Sequence, residues 1–258
     1  MRFFGLEIPS VTREQVLQQL DSIRVIYTPN PEILLMARSD KKYLKILKNA
    51  DVLLPDGNGL QFVSTLKRFP SRPLRAFFYL PALFTFLFFK APFKKEIPEI
   101  IHGSDFMHSV VDWAELRNKS VFFLGSEPGI AKKTSAIFSR RNKQLDIAGY
   151  SHFNPGKAAF ELVRDSKAQV VFVAYGAPKQ EEWINDFLPK LPNVELIMGV
   201  GGSFDFISGK TKRAPRFMRK LGLEWFWRLA LNPVKRAGRI YKAFIEFPVI
   251  SVFFDDLK

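Results

Sequence analysis

The chain predicts an α/β fold: a parallel sheet covered by helices on both faces, with a basic helical appendage at the C-terminal end. Three observations point there. Short apolar, β-rich runs recur along the 258 residues, and most are separated by segments of helical character. The runs are continuously apolar rather than alternating, as in Val170-Val171-Phe172-Val173-Ala174, which suits strands buried on both faces. The formal charge of +14 is concentrated in two segments, one of them near the C-terminus, and the rest of the chain carries a small negative balance.

The predicted strands are 23–27, 52–54, 121–124, 146–150, 170–175 and 195–200. Helices are expected over 32–48, 104–117, 130–141, 157–166 and 179–188. Ligands of such sheets bind beyond the carboxyl ends of the strands. The loops there, 28–31, 55–59, 125–129, 176–180 and 201–204, are rich in Gly, Pro or Asn.

A hydrophobic fraction of 47% supports a full core. There are no cysteines, which excludes disulfides and thiolate metal sites. The three histidines, His102, His108 and His152, argue against a histidine metal centre. Residues Met1 to Ser10 lack a secretion signal, so the protein is expected to stay in the cytoplasm. The expected organisation is a catalytic core over 1–209, with 72–95 a membrane-interacting insertion, and an appendage over 210–258.

Residues 67–95 hold seven basic side chains and no acidic one; residues 210–242 hold eleven and one, Glu224. Such segments seek polyanions: nucleic acid, anionic lipid or diphosphate. Within the first, 76–89 is an aromatic-rich run, apolar but for Thr85. It is shorter than the roughly 20 residues of a spanning helix, and Pro81 interrupts it. Its borders are cationic, with Arg72 and Arg75 before it and Lys90, Lys94 and Lys95 after. That favours an interfacial element over a buried core helix. In the appendage, Trp225, Phe226, Trp227, Tyr241, Phe244 and Phe247 lie among the cations. They suit a headgroup layer, or the packing of an ordinary C-terminal helix.

The distinctive residues fall in the strand-end loops. In Thr28-Pro29-Asn30-Pro31-Glu32, Asn30 is a natural N-cap and Pro31 a first-turn residue. Asp56, in Pro55-Asp56-Gly57-Asn58-Gly59, is a carboxylate directly after a strand, placed to serve as a general base. Gly125-Ser126-Glu127-Pro128-Gly129 could seat a phosphate or ribose but is not GxGxxG, and no P-loop sequence exists. In Gly176-Ala177-Pro178-Lys179-Gln180-Glu181, Gln180 offers a donor and an acceptor for a uracil edge or sugar hydroxyls. Arg213, Arg216, Arg219, Arg228, Arg236 and Arg239 can bind diphosphate oxygens. No Asp-x-Asp pair is present to hold a divalent metal, so Lys and Arg are expected to take that role.

These motifs occur together with Gly103-Ser104-Asp105, Phe123-Leu124-Gly125, Gly201-Gly202-Ser203-Phe204-Asp205-Phe206, Lys212-Arg213-Ala214-Pro215, Leu221-Gly222-Leu223-Glu224-Trp225 and Arg228-Leu229. In that order they resemble the WecG/TagA/CpsF glycosyltransferases, family 26, over about residues 23–241. The resemblance implies a Rossmann-like core. It also implies an inverting transfer of N-acetylmannosamine, or its uronic acid, from a UDP-sugar to undecaprenyl-diphosphate-linked N-acetylglucosamine. Asp56 would be the base, with Thr28 beside it in the pocket. The substrate-binding set would be Asn30, Gly57, Asn58, Gly125, Lys179, Gln180, Glu181, Arg213, Arg228 and Arg239.

No metal and no cofactor are expected. The partners would be the UDP-sugar, the polyprenyl-linked acceptor, an anionic membrane at the cytoplasmic face through 72–95 and 210–258, and a second copy of the chain; nucleic acid is not expected. Two departures stand out. Family members usually carry arginine where this chain has Ile100, with His102 or Arg75 as candidate replacements, and 72–95 reads as an insertion. The alternatives are a non-catalytic membrane-binding or nucleic-acid-binding protein on the same fold.

Overall fold

The computed structural model describes residues 1–212, 214–215, 218, 224–231, 233, 237–238 and 241–255. Near the N-terminus, β1 (Arg2–Phe3) and β2 (Leu6–Glu7) pair as a small antiparallel hairpin. The main sheet contains β3 (Val25–Tyr27), β4 (Val52–Leu53), β5 (Val121–Gly125), β6 (Ile147–Ser151), β7 (Val170–Ala174) and β8 (Leu196–Gly199). These strands are parallel, in the order β4-β3-β8-β7-β5-β6. The described helices are α1 (Arg13–Gln18), α2 (Pro31–Ser39), α3 (Lys41–Lys48), α4 (Gly59–Leu66), α5 (Arg72–Phe88), α6 (Gly103–Leu116), α7 (Ile130–Arg141), α8 (Lys157–Ser166), α9 (Lys179–Phe187), α10 (Ser203–Ile207), α11 (Glu224–Leu231) and α12 (Phe247–Phe253).

The expected parallel sheet with two covered faces is present. In β7 every residue is buried, and successive side chains enter opposite layers. Val171 and Val173 join the layer that includes α2, α3, α4, α8 and α9. Val170, Phe172 and Ala174 join the one with α1, α6, α7 and α10. There Phe123 stacks between Phe138 and Phe172, at 5.6 and 5.8 Å.

Four features differ from the sequence reading. The helix expected over 32–48 is two helices, because the Asp40 carboxylate accepts from the amides of Lys42 (2.8 Å) and Tyr43 (3.0 Å) and starts a new helix. The hairpin, α1, α4 and α10 were not expected; α1 is set by a capping box between Thr12 and Gln15, and α10 begins within the stretch read as a loop over 201–204. Helix α5 runs through Pro81 rather than stopping there. Its inner side packs Phe78, Tyr79, Ala82, Leu83 and Phe86 on the core while its outer side is exposed, so it is neither a buried core helix nor free of the body.

Arg75, proposed above as a substitute cation for the site, is buried instead. Its guanidinium donates to the Phe69 and Val252 carbonyls, each at 2.9 Å. The end of the expected appendage also belongs to the body. Phe247 and Val252 of α12 are fully buried. Phe247 packs on Phe3 and Phe4 at 5.8 and 6.2 Å, and the Asp255 carboxylate accepts from the Phe4 amide at 2.9 Å and pairs with Lys67. No described helix is long and apolar enough to cross a membrane.

Candidate active site

A cavity of about 290 Å³ opens over the carboxyl ends of β3, β4, β7 and β8. It straddles the seam where β3, which leads on to edge strand β4, adjoins the strands that follow later in the chain. Such switch points are where open α/β sheets bind ligands. Its walls include the first residues of four helices, α2, α6, α9 and α10. Helix starts present backbone N–H groups and a partial positive charge, so several together favour an anionic ligand.

The loops are tied to one another. The Asp56 amide donates to the Pro29 carbonyl (3.1 Å), and the Ile101 amide donates to the Pro55 carbonyl (2.9 Å). The Asp56 loop is therefore held between the segment after β3 and the segment entering α6. This brings the His102 ring to Asp56, with Nδ1 and Oδ1 2.8 Å apart and both side chains partly exposed. Gly103, next along, lets α6 start against Thr28: a Cβ there would lie 3.3 Å from Thr28 Oγ1. Asn30 caps α2 by accepting from the Ile33 amide at 3.1 Å, and it also lines the cavity.

Gln180 lines the opposite wall, but its amide is engaged. Its oxygen accepts from the Gly201 amide at 2.8 Å and its NH₂ donates to Glu181 Oε1 at 2.7 Å. Gly199 makes room for it; a Cβ there would sit 3.0 Å from Gln180 Nε2. Glu181 is fully buried behind it, and burial pushes its carboxyl up to about 7. Glu181 Oε2 and the nearby Tyr43 hydroxyl are both buried without a hydrogen bond of normal geometry.

Thr28, Asn30, Asp56 and Gln180 are thus brought together around one cavity. Gly57, Asn58, Gly125, Lys179 and Glu181 do not line it. Gly57 adopts φ +109° and packs close to Pro31, where a Cβ would lie 3.2 Å from Cδ. Gly125 packs under the Tyr175 ring, where a Cβ would lie 2.9 Å away. Lys179 is exposed. Arg213 and Arg239 lie outside the described residues, as does the side chain of Arg228, on α11.

The cavity also holds His102, named above only as a candidate replacement for the missing arginine, and three residues that were not selected: Ser104, Ser203 and Asp205. Their motifs, Gly-Ser-Asp and Gly-Gly-Ser-Phe-Asp-Phe, were visible as strings. Asp205 accepts from Ser126 Oγ at 3.1 Å, with Lys210 3.8 Å away, so the 125–129 loop is fastened to α10. Ile100 is partly buried against the core. Among the described residues, the lining includes three carboxylates, Glu32, Asp56 and Asp205, and no Lys or Arg. No group of three or more His, Asp or Glu placed to hold a metal ion occurs among the described residues.

The architecture is that of an α/β protein with a ligand cavity at the switch point of a parallel sheet. More specifically, the model of the glycosyl transferase WecG/TagA/CpsF family matches residues 1–87 and 83–254, and the chain belongs to that family. The match takes in the β1–β2 hairpin and α12, beyond the 23–241 read from motifs, and its two stretches meet inside α5.

Curated relatives include the N-acetylglucosaminyldiphosphoundecaprenol N-acetyl-beta-D-mannosaminyltransferases of Bacillus spizizenii and Bacillus subtilis. Each is 32% identical, over 81% of this chain and 72% of the relative. The Staphylococcus aureus protein of the same name is 29% identical, over 83% of this chain and 74% of its own length.

Proposed function

We propose that the protein is an inverting glycosyltransferase that moves N-acetylmannosamine, or its uronic acid, from a UDP-sugar to undecaprenyl-diphosphate-linked N-acetylglucosamine, in cell-surface polymer synthesis at the cytoplasmic face of a membrane. The observation that carries this is Asp56, a carboxylate in a cavity walled by helix starts. That arrangement pairs a base for a sugar hydroxyl with a seat for a diphosphate. The names of the relatives supply the sugar and the acceptor.

In this mechanism Asp56 accepts the proton of an acceptor hydroxyl. The oxygen forms a bond to the anomeric carbon from one face while the bond to UDP breaks on the other, and UDP leaves as the free diphosphate. His102 holds Asp56 Oδ1, which leaves Oδ2 for the hydroxyl. Thr28 and Asn30 position the sugar. Gln180 shapes the donor wall by fixing the Gly201 backbone, with Glu181 behind it. The cavity carries carboxylates but no described cation. Arg213, Arg228 and Arg239 are accordingly assigned to the departing UDP in place of a divalent metal.

The test is Asp56→Asn. Turnover of a UDP-N-acetylmannosamine donor on a short-chain lipid diphosphate acceptor should fall by about 10²–10⁴. UDP should still raise the melting temperature, with or without EDTA. Near-normal turnover of the variant would sink the assignment of Asp56 as base.

A further inference from the structure

Apart from Arg72, Arg75 and Thr85, helix α5 is apolar, yet only its inner side packs on the core. At 100° per residue, Arg75, Phe78, Tyr79, Ala82, Leu83 and Phe86 fall on the inner half, and Leu74, Phe77, Leu80, Pro81 and Phe84 on the outer. The outer side chains are open: Phe77 is 73% exposed, Leu80 72% and Phe84 66%. Contiguous apolar surface of this kind marks an interaction site.

The charges around it indicate what it meets. Residues 67–95 contain no acidic side chain. Of the seven basic ones, Lys67 is paired with Asp255, Arg68 with Glu96 (3.4 Å), and Arg75 is buried on carbonyls. The other four bracket the apolar face: Arg72 at its start, and Lys90, Lys94 and Lys95 beyond its end. Burial, and then the charge of Lys94, hold the Lys90 ammonium below its ordinary value; an anion beside the two would relieve the repulsion. Seventeen residues of helix span about 25 Å, short of the roughly 30 Å of bilayer hydrocarbon, and the inner half is already committed to the core. The geometry fits a helix lying in the plane of the interface.

We propose that the outer half of α5 docks on an anionic lipid bilayer, with Leu74, Phe77, Leu80 and Phe84 among the upper acyl chains and Arg72, Lys94 and Lys95 on the lipid phosphates. This deepens the membrane-surface part of the function proposed above, but it does not depend on which sugar is moved.

The experiment compares the full chain with its Phe77→Ser/Phe84→Ser variant. Flotation is measured with vesicles of phosphatidylglycerol and phosphatidylcholine and with phosphatidylcholine alone, alongside turnover on a short-chain acceptor. The wild type should float with the anionic vesicles. The variant should bind them about tenfold more weakly per phenylalanine replaced, with its melting temperature and short-chain turnover unchanged. Three results would each overturn the proposal: a wild type that does not float, a variant that floats as well as the wild type, or a variant whose only change is loss of a dimer, which would make this face a contact between copies. Loss of short-chain turnover in Asp56→Asn bears on the transfer reaction alone, so the two readings fail separately.

Discussion

Asp56 holds the Nδ1 side of His102 on one carboxylate oxygen, at 2.8 Å. That contact fixes the carboxylate's rotation, and a general base has to be held within reach of the proton it takes. Replacing His102 with alanine removes a charge-assisted hydrogen bond worth about 1.5–3 kcal/mol. Turnover should then fall about 10–100-fold while UDP affinity holds; an unchanged rate would show that Asp56 needs no such partner.

Glu181 gives a second prediction at this scale. Its carboxyl is raised to about 7 by burial, from an ordinary 4.5. The folded state therefore favours the protonated form. The stability this contributes is complete below the ordinary carboxylate range and is lost as pH rises through about 7. Glu181→Gln keeps an acceptor for Gln180 without the charge. Melting curves should show the wild type losing stability relative to the variant between pH 5 and 8; parallel curves would mean that Glu181 stays ionised in the fold. The sequence showed Asp56, Thr28, Asn30 and Gln180 because each stands in a strand-end loop with distinctive neighbours. It did not show that Gln180 is held by Gly201, or that His102 reaches Asp56, because both contacts depend on separate loops meeting in the fold.

Among the elements, the central strands were legible because doubly covered strands are apolar at every position, as in β5 and β7. The β1–β2 hairpin was not, since two-residue strands carry no periodicity. The break between α2 and α3 was masked because Asp40 lies inside an otherwise continuous helical pattern, and its cap is a local competitor of that pattern. At Pro81 the opposite happened: packing of the inner face outweighed one lost backbone hydrogen bond. The amphipathic character of the C-terminal region left two readings open, and α12 packs its aromatic ring on the body. Phe247→Ala should cost about 3–5 kcal/mol in denaturant unfolding, because the ring is fully buried against Phe3 and Phe4. A loss under 1 kcal/mol would mean that α12 is not seated there in solution.

For the molecule as a whole, the charge pattern was readable as two basic segments, but their fates differ in ways that composition cannot encode. In the first, three of seven cations hold the body together and the others bracket the outer half of α5. The second begins just after α10, whose Phe204 is fully buried, and ends just before α12, whose Phe247 is fully buried. The Phe4 amide bonded to Asp255 joins positions 251 residues apart. The chain between Ser208 and Tyr241 is therefore a strap buckled to the body at both ends, not a streamer. Fastening a segment at both ends limits the volume that it can explore, which raises the effective concentration of whatever side chains it carries compared with a loose end. Cutting the chain after α10 would remove a piece of the hydrophobic core along with the cations. Charge-reversal within the strap, which leaves both buckles fastened, is the change that isolates what the arginines do.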